Sequence, residues 1–293
     1  MDIRENMLPV LGPKGGEEEV QAIREVIESG WWGKGPKVEE FEEKFAKMVG
    51  HKYAIAVTSN SHGQDLVMKA LGYKGIDVIN PAISFIATAM IPLWNNFTSN
   101  IVDVKRDTLC IDPEDVERYK KPNSECREMT WFGVSSTWSR ASGSTPGYAW
   151  DYKVNVLGYK YYMIDLLAAI GLEQMKKLPE HLKFRRHVQS RYNKELHPMI
   201  ERPPHSETVQ YYVSRVPSEH RDKIIDYLTD KKIHTSVHFK PLYLYDILKQ
   251  DREYPVSDSE WLRLLTLPCH NNMKDEDIDY VIYWVNKYFE ENF

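Results

Sequence analysis

Residues 53–71 read YAIAVTSNSHGQDLVMKAL, and they change habit twice. A short apolar run (53–57) gives way to the turn cluster TSNSHG and then to the helical stretch QDLVMKAL. Together these make one strand–turn–helix unit. Two more units follow at similar spacing. IDVINP (76–81) leads into a helix around SFIATAMIPLW (84–94), and SNIVDV (99–104) leads to DPEDVERYK (112–120), with Asp112 as N-cap and Pro113 at the first helical position. This alternation predicts an α/β fold that opens as a parallel, doubly wound sheet.

Upstream, EEEVQAIREVIES places Val20, Ile23 and Ile27 on one helical face before Gly30 stops it. A Gly-rich hinge, GWWGKGP (30–36), precedes a second helix with Val38, Phe41, Phe45 and Met48 in one stripe, closed by Gly50. Downstream the rhythm stops. From Pro122 to Trp150 no apolar strand run is followed by a helical stripe, and three parallel strands alone leave an open edge.

Order returns after Asp151. Met163, Leu166, Leu167 and Ile170 keep helical spacing, and KFRRHVQSRYNKEL (183–196) predicts a long, basic, solvated helix. VQYYVSRVP and HTSVHF read as strands around the helix EHRDKIIDYLTDKK, and a terminal helix carries Ile278, Val281, Ile282, Val285 and Phe289 on one face. Two domains are expected, a truncated sheet domain over 1–175 and a small α+β domain over 176–293.

Composition sets outer bounds. The 293 residues are 42% hydrophobic, enough for a full core, and the net charge of −5 comes without a basic block, which disfavours a nucleic-acid partner. Cys110, Cys126 and Cys269 are odd in number and form no metal-like spacing, so neither a disulfide framework nor a metal site is expected, and a cytoplasmic location fits. No stretch has signal-peptide character, and the most apolar one, YYMIDLLAAIGL, is short and interrupted by Asp165, so no membrane association is expected.

TSNSHG, placed before a helix, offers backbone N–H groups that suit a phosphate, although on local grounds alone an ordinary helix capped by Ser59 or Ser61 is the preferred reading. DEDID near the C-terminus imitates a calcium loop but has Tyr280 and Asn286 where glycine and glutamate are needed. His238, between an apolar strand and a proline loop, reads as a ligand contact or as a packed structural histidine.

Taken together, GWWGKGPKVEEFEEKFAKMVGHKYAIAVTSNSHGQDLVMKAL, INPAISFIATA, IVDVKRDTLCIDPEDVE, LGYKYYMIDLLAAIGLEQM, TSVHFKPLYLY and TLPCHNNMKDEDIDYVIYWVNKYF resemble, in family order, the DegT/DnrJ/EryC1/StrS family of pyridoxal-phosphate-dependent nucleotide-sugar aminotransferases, nearest its perosamine-synthase-like branch. The resemblance implies a fold-type I homodimer that passes an amino group from glutamate to a keto-sugar nucleotide. It places Asn60 and Ser61 at the cofactor phosphate, Phe85 on the pyridine ring, Lys160 at a phosphate, and Trp32 of the hinge and His238 near the sugar nucleotide.

The same resemblance exposes a gap. In the family, the segment matching IDPEDVE is followed by further strand–helix units carrying an aspartate for the pyridine nitrogen and the lysine that holds the cofactor covalently. Here KKPNSEC (120–126) runs straight into REMTWFG (127–133), which resembles the segment after that lysine. The implication is an internal deletion near 120–130, no catalytic residue, no covalent cofactor attachment and an inactive chain. The alternatives are a non-catalytic sugar-nucleotide-binding or dimer-partner protein, and an active enzyme whose given sequence lacks a segment. Tyr162, Leu167 and Tyr243 also depart from the family's usual Asn or Arg, Gln and His.

Overall fold

A computed structural model describes residues 1–72, 75–111, 160–204 and 206–293. The expected helix at 112–120, with Asp112 and Pro113, the loop reading of 122–150 and the join at 120–133 lie outside the described residues.

In chain order the first elements are α1 (Glu17–Glu28), α2 (Pro36–Met48), α3 (Asn60–Ala70), β1 (Asp77–Pro81), α4 (Ala87–Trp94) and β2 (Thr98–Val102). β1 and β2 pair in parallel, Asp77 opposite Thr98 and Pro81 opposite Val102, as the unit spacing predicts. The 53–57 run does not join them. Among the described residues it makes one antiparallel bridge, Val57 to Tyr162, with Thr58 N–H donating to Tyr161 O at 3.0 Å and Met163 N–H to Ala56 O at 3.2 Å. The described sheet thus has two parallel strands instead of three, because residues 161–163 are the extended partner available to 56–58.

The long helix α5 (Asp165–Glu195) runs through Pro179 and through residues 175 and 176, where the two domains were expected to divide. β3 (Tyr212–Arg215), α6 (Ser218–Asp230), α7 (Pro255–Glu260), β4 (Leu264–Leu267) and α8 (Asp275–Asn292) follow. β3 and β4 pair antiparallel, while 234–239 contributes only a bridge from Ser236 to Thr266. The expected apolar face of α8 is buried throughout: Ile278, Val281, Ile282, Val285 and Phe289 sit in a core with Leu228, Ile233 and Leu267. The second half of α5 is not solvated as expected. Val188 and Tyr192 are fully buried in that same core, because α8 and the β3–β4 pair pack over that half of the helix.

Two other stripes are corrected. α1 buries Glu19, Ala22 and Val26, leaving Val20 and Ile27 half exposed. Its orientation follows Glu19, whose carboxylate accepts from Gln174 Nε2 at 2.6 Å and Lys177 Nζ at 2.9 Å on α5. This ion pair holds the Glu19 carboxyl down at about 2. α2 buries Val38 and packs Phe41 toward α5, where a Cβ on Gly171 would stand 2.7 Å from the Phe41 ring, while Phe45 and Met48 are exposed. Of the expected apolar positions at the start of α5, Met163 and Leu166 pack against core clusters, whereas Leu167 is exposed and Ala168, Ala169 and Leu172 supply the buried positions.

The exit of β2 is tied to the second half of the chain at both ends of α7. Asp103 caps the start of α7, accepting from Val256 N–H (2.8 Å), Ser257 N–H (2.9 Å) and Ser257 Oγ–H (2.5 Å). At the far end buried Glu260 forms ion pairs with Arg106, Arg215 (2.8 Å) and Arg263 (3.3 Å). Glu201 completes the network by pairing with Arg215 at 2.9 Å and Arg263 at 2.7 Å.

Candidate functional site

The turn before α3 folds as its residue types dictate. Ser59 is the N-cap and its hydroxyl accepts from His62 N–H at 3.2 Å. Asn60 and Ser61 occupy the first two helical positions, where backbone N–H groups lack intrahelical acceptors and the helix dipole favours an anion. The Asn60 side-chain oxygen accepts from Gln64 Nε2 at 2.8 Å, so the amide braces the turn. Behind it Thr58 Oγ1 and His62 Nδ1 share a hydrogen bond of 2.6 Å, and the imidazole stacks on Tyr161 at 4.5 Å. Lys160 is exposed and directly precedes Tyr161, so the backbone bond between Thr58 and Tyr161 brings it to the flank of this turn.

Phe85 follows the carboxyl end of β1, the end where open α/β sheets bind ligands. Its ring is 58% exposed and meets Phe239 edge-on at 6.1 Å. Phe239 in turn lies 4.8 Å from the His238 ring and 6.4 Å from Tyr211, which stacks on His238 at 4.2 Å. His238 Nδ1 shares a 2.9 Å hydrogen bond with Thr266 Oγ1 on β4, and burial pushes its pKa down, leaving a neutral imidazole at neutral pH. Thus Phe85 and His238 are brought to one aromatic shelf. Phe239, Tyr211 and Thr266 complete it, although no sequence signal marked them. Tyr243 is engaged elsewhere, stacked on Tyr254 at 4.0 Å with its hydroxyl donating to Asp258 at 2.6 Å.

The hinge before α2 is built against Asp165. This carboxylate, nearly inaccessible, accepts from the backbone N–H groups of Gly35 (2.6 Å), Val38 (3.1 Å) and Lys37 (3.2 Å), capping α2 from across the chain. Burial pushes the carboxyl up, against those three donors. Only glycine fits at position 35, since a Cβ would lie 2.6 Å from both Asp165 Oδ2 and the Trp31 indole. Trp31 is drawn inward, its Nε1 donating to Lys34 O at 3.0 Å. Trp32 remains 55% exposed beside it. The sequence did mark Asp165, as the one charge inside an apolar run, but not its role. Asp165→Ala is expected to cost about 2–3 kcal/mol, since three amides lose a charged acceptor. Denaturant unfolding reads the loss; an unchanged midpoint would remove Asp165 from the architecture of the hinge.

Phe85 and His238 share one shelf, and among the contacts of the described residues named above none joins the turn before α3 to it. α3 offers amide donors, Phe85 offers a face, and His238 offers a neutral hydrogen-bonding imidazole. Among the described residues no cluster of His, Cys, Asp or Glu is arranged for a metal, and no helix is long and apolar enough to cross a membrane.

Comparison with known proteins gives a family and a fold. The model of the DegT/DnrJ/EryC1/StrS aminotransferase family matches the chain in two parts, residues 13–126 and 121–286. The spore coat polysaccharide biosynthesis protein SpsC of Bacillus subtilis is 27% identical over 377 residues, covering 95% of this chain and 96% of SpsC. That alignment is longer than the chain itself, so part of SpsC lies opposite no residue here. Among solved structures, the aminotransferase TlmJ of Streptoalloteichus hindustanus matches with a TM-score of 0.86 at 21% identity, over 97% of this chain and 99% of TlmJ. The pyridoxal-phosphate form of Spr1654 of Streptococcus pneumoniae, a sugar aminotransferase candidate, matches with a TM-score of 0.85 at 19% identity, over 99% of both chains. These two likenesses establish the fold-type I architecture.

Proposed function

The chain belongs to the DegT/DnrJ/EryC1/StrS aminotransferase family, and we propose that it is a nucleotide-sugar member that has lost its covalent-lysine segment. It then keeps cofactor and sugar-nucleotide contacts but does not transaminate alone. The observation carrying this reading is the meeting of the two family matches at residues 121–126, where KKPNSEC passes directly into REMTWFG.

The residues present fit part of pyridoxal phosphate. Asn60 and Ser61 would hold the phosphate on their N–H groups, Phe85 would cover one ring face, and Lys160 would add a cation beside the phosphate. Trp32 and His238 would contact the sugar nucleotide. Bound pyridoxal phosphate supplies an electron sink for the carbon that carries the amino group. The family's aspartate and lysine, which set the ring nitrogen and move the proton, have no counterpart in the sequence.

Glutamate as donor, a homodimer and a cytoplasmic location belong to the same reading. The homodimer is supported by apolar side chains exposed on α1, the hinge and α2, among them Val20, Ile27, Trp32 and Phe45. The location is supported by Cys110 and Cys269, which are free thiols.

The decisive experiment mixes the purified chain with pyridoxal phosphate, adds borohydride, denatures the product and maps cofactor to peptides. No cofactor is expected to remain attached. Stoichiometric fixation at Lys160 would sink the reading.

A further inference from the structure

The groove that begins at Asn60 continues along β1, with a volume of about 890 Å³ between the 53–57 segment, α3 and the strand. None of the described residues that line it is charged. The hydrogen bonds Thr98 N–H to Ile76 O (3.1 Å) and Ala82 N–H to Val102 O (2.9 Å) fix which edge of β1 faces β2. By parallel alternation Val78 and Asn80 bond toward β2, so the N–H and C=O of Ile79 and the C=O of Asp77 point the other way. Val78, Ile79 and Asn80 line the groove, and among the described residues no strand pairs with that edge. A partly buried, unpaired edge beside apolar walls is a template for one more strand. Pro81 has no N–H to offer, so the added ladder stops there.

We infer that this groove accepts an extended apolar strand from a second polypeptide carrying the stretch that this chain lacks. The inference rests on the proposed loss of the internal segment. Three observations choose this occupant. A doubly wound sheet continues by adding strands at its edges. The described lining, with Ile55, Val57 and Leu66 among it, suits a β-branched strand and offers no charge to an anionic ligand. SpsC carries residues that lie opposite none of this chain.

The test uses the full chain and, as a separate polypeptide, the stretch of SpsC opposite no residue here. Size-exclusion chromatography should give a saturable complex, and amide exchange at Ile79 should slow by at least about tenfold. Val67 lies on the exposed side of α3 and lines the groove, so Val67→Trp fills space without disturbing a core residue. This variant, checked for the parent's denaturation midpoint, should weaken the complex by about tenfold or more. No complex at about 100 µM polypeptide, a complex that leaves Ile79 exchange unchanged, or equal binding by a folded Val67→Trp variant would each overturn the inference. Borohydride fixation separates the two readings. Cofactor fixed at Lys160 removes the proposed function, whereas a chain that fixes none and forms no complex removes only the groove assignment.

Discussion

Given pyridoxal phosphate, glutamate and a keto-sugar nucleotide, the chain alone is expected to transfer no amino group above the rate of free cofactor. Positioned proton transfer by a side chain contributes roughly 10²–10⁴-fold, and the proposed function leaves the chain without the group that performs it in the family. His238 cannot replace it. Its Nδ1 is engaged by Thr266 and its ring is clamped between Tyr211 and Phe239. Lys160 stands on the flank of the turn before α3, where the proposed function gives it a phosphate contact. The measurement is glutamate-dependent formation of amino sugar, with matched cofactor and no protein as baseline. Turnover a hundredfold above that baseline, abolished by Lys160→Ala, would show that the chain recruits a new proton carrier.

Glu260→Ala is expected to destabilise the chain by about 3–5 kcal/mol, the largest effect of a single substitution proposed for it. The Glu260 side chain is 1% exposed, and Arg215 beside it is 4% exposed, so removing the carboxylate leaves a guanidinium buried with its countercharge gone. Glu201 compensates only in part, because it reaches Arg215 and Arg263 from a half-exposed position. Arg215 also donates to the carbonyls of Arg106 (2.7 Å) and Asp107 (3.3 Å), so loss of Glu260 loosens the exit of β2 as well. Glu260→Gln keeps the shape and one acceptor, and should recover part of the loss. Denaturation midpoints of both variants decide; a Glu260→Ala midpoint equal to that of the parent would show the network to be dispensable.

How much of this was legible varies by element, and each difference has a physical source. The face of α8 was readable because its five apolar positions pack against one core and no polar contact competes. α1 misled because its docking face is chosen by a carboxylate, Glu19, whose partners Gln174 and Lys177 lie far along the chain. The 53–57 run has strand composition, but a strand is completed by its neighbour, and the neighbour described here is the 161–163 segment. Ser59 could be read as a cap of α3 because a cap and a helix start are local signals. Phe239 and Tyr211 could not be singled out, since their value comes from the rings they meet and not from their spacing.

The continuity of α5 has a mechanical consequence. A helix of 31 residues is a rod of about 46 Å. Its first turns carry Asp165 and the hinge, and its last turns are embedded with Tyr192 in the core around α8. Bending the first half of the molecule against the second therefore requires bending the rod itself, so the two halves swing as one lever rather than as beads on a flexible string. A lever of this kind keeps its two ends in register. It fixes the hinge around Asp165 relative to the core around α8.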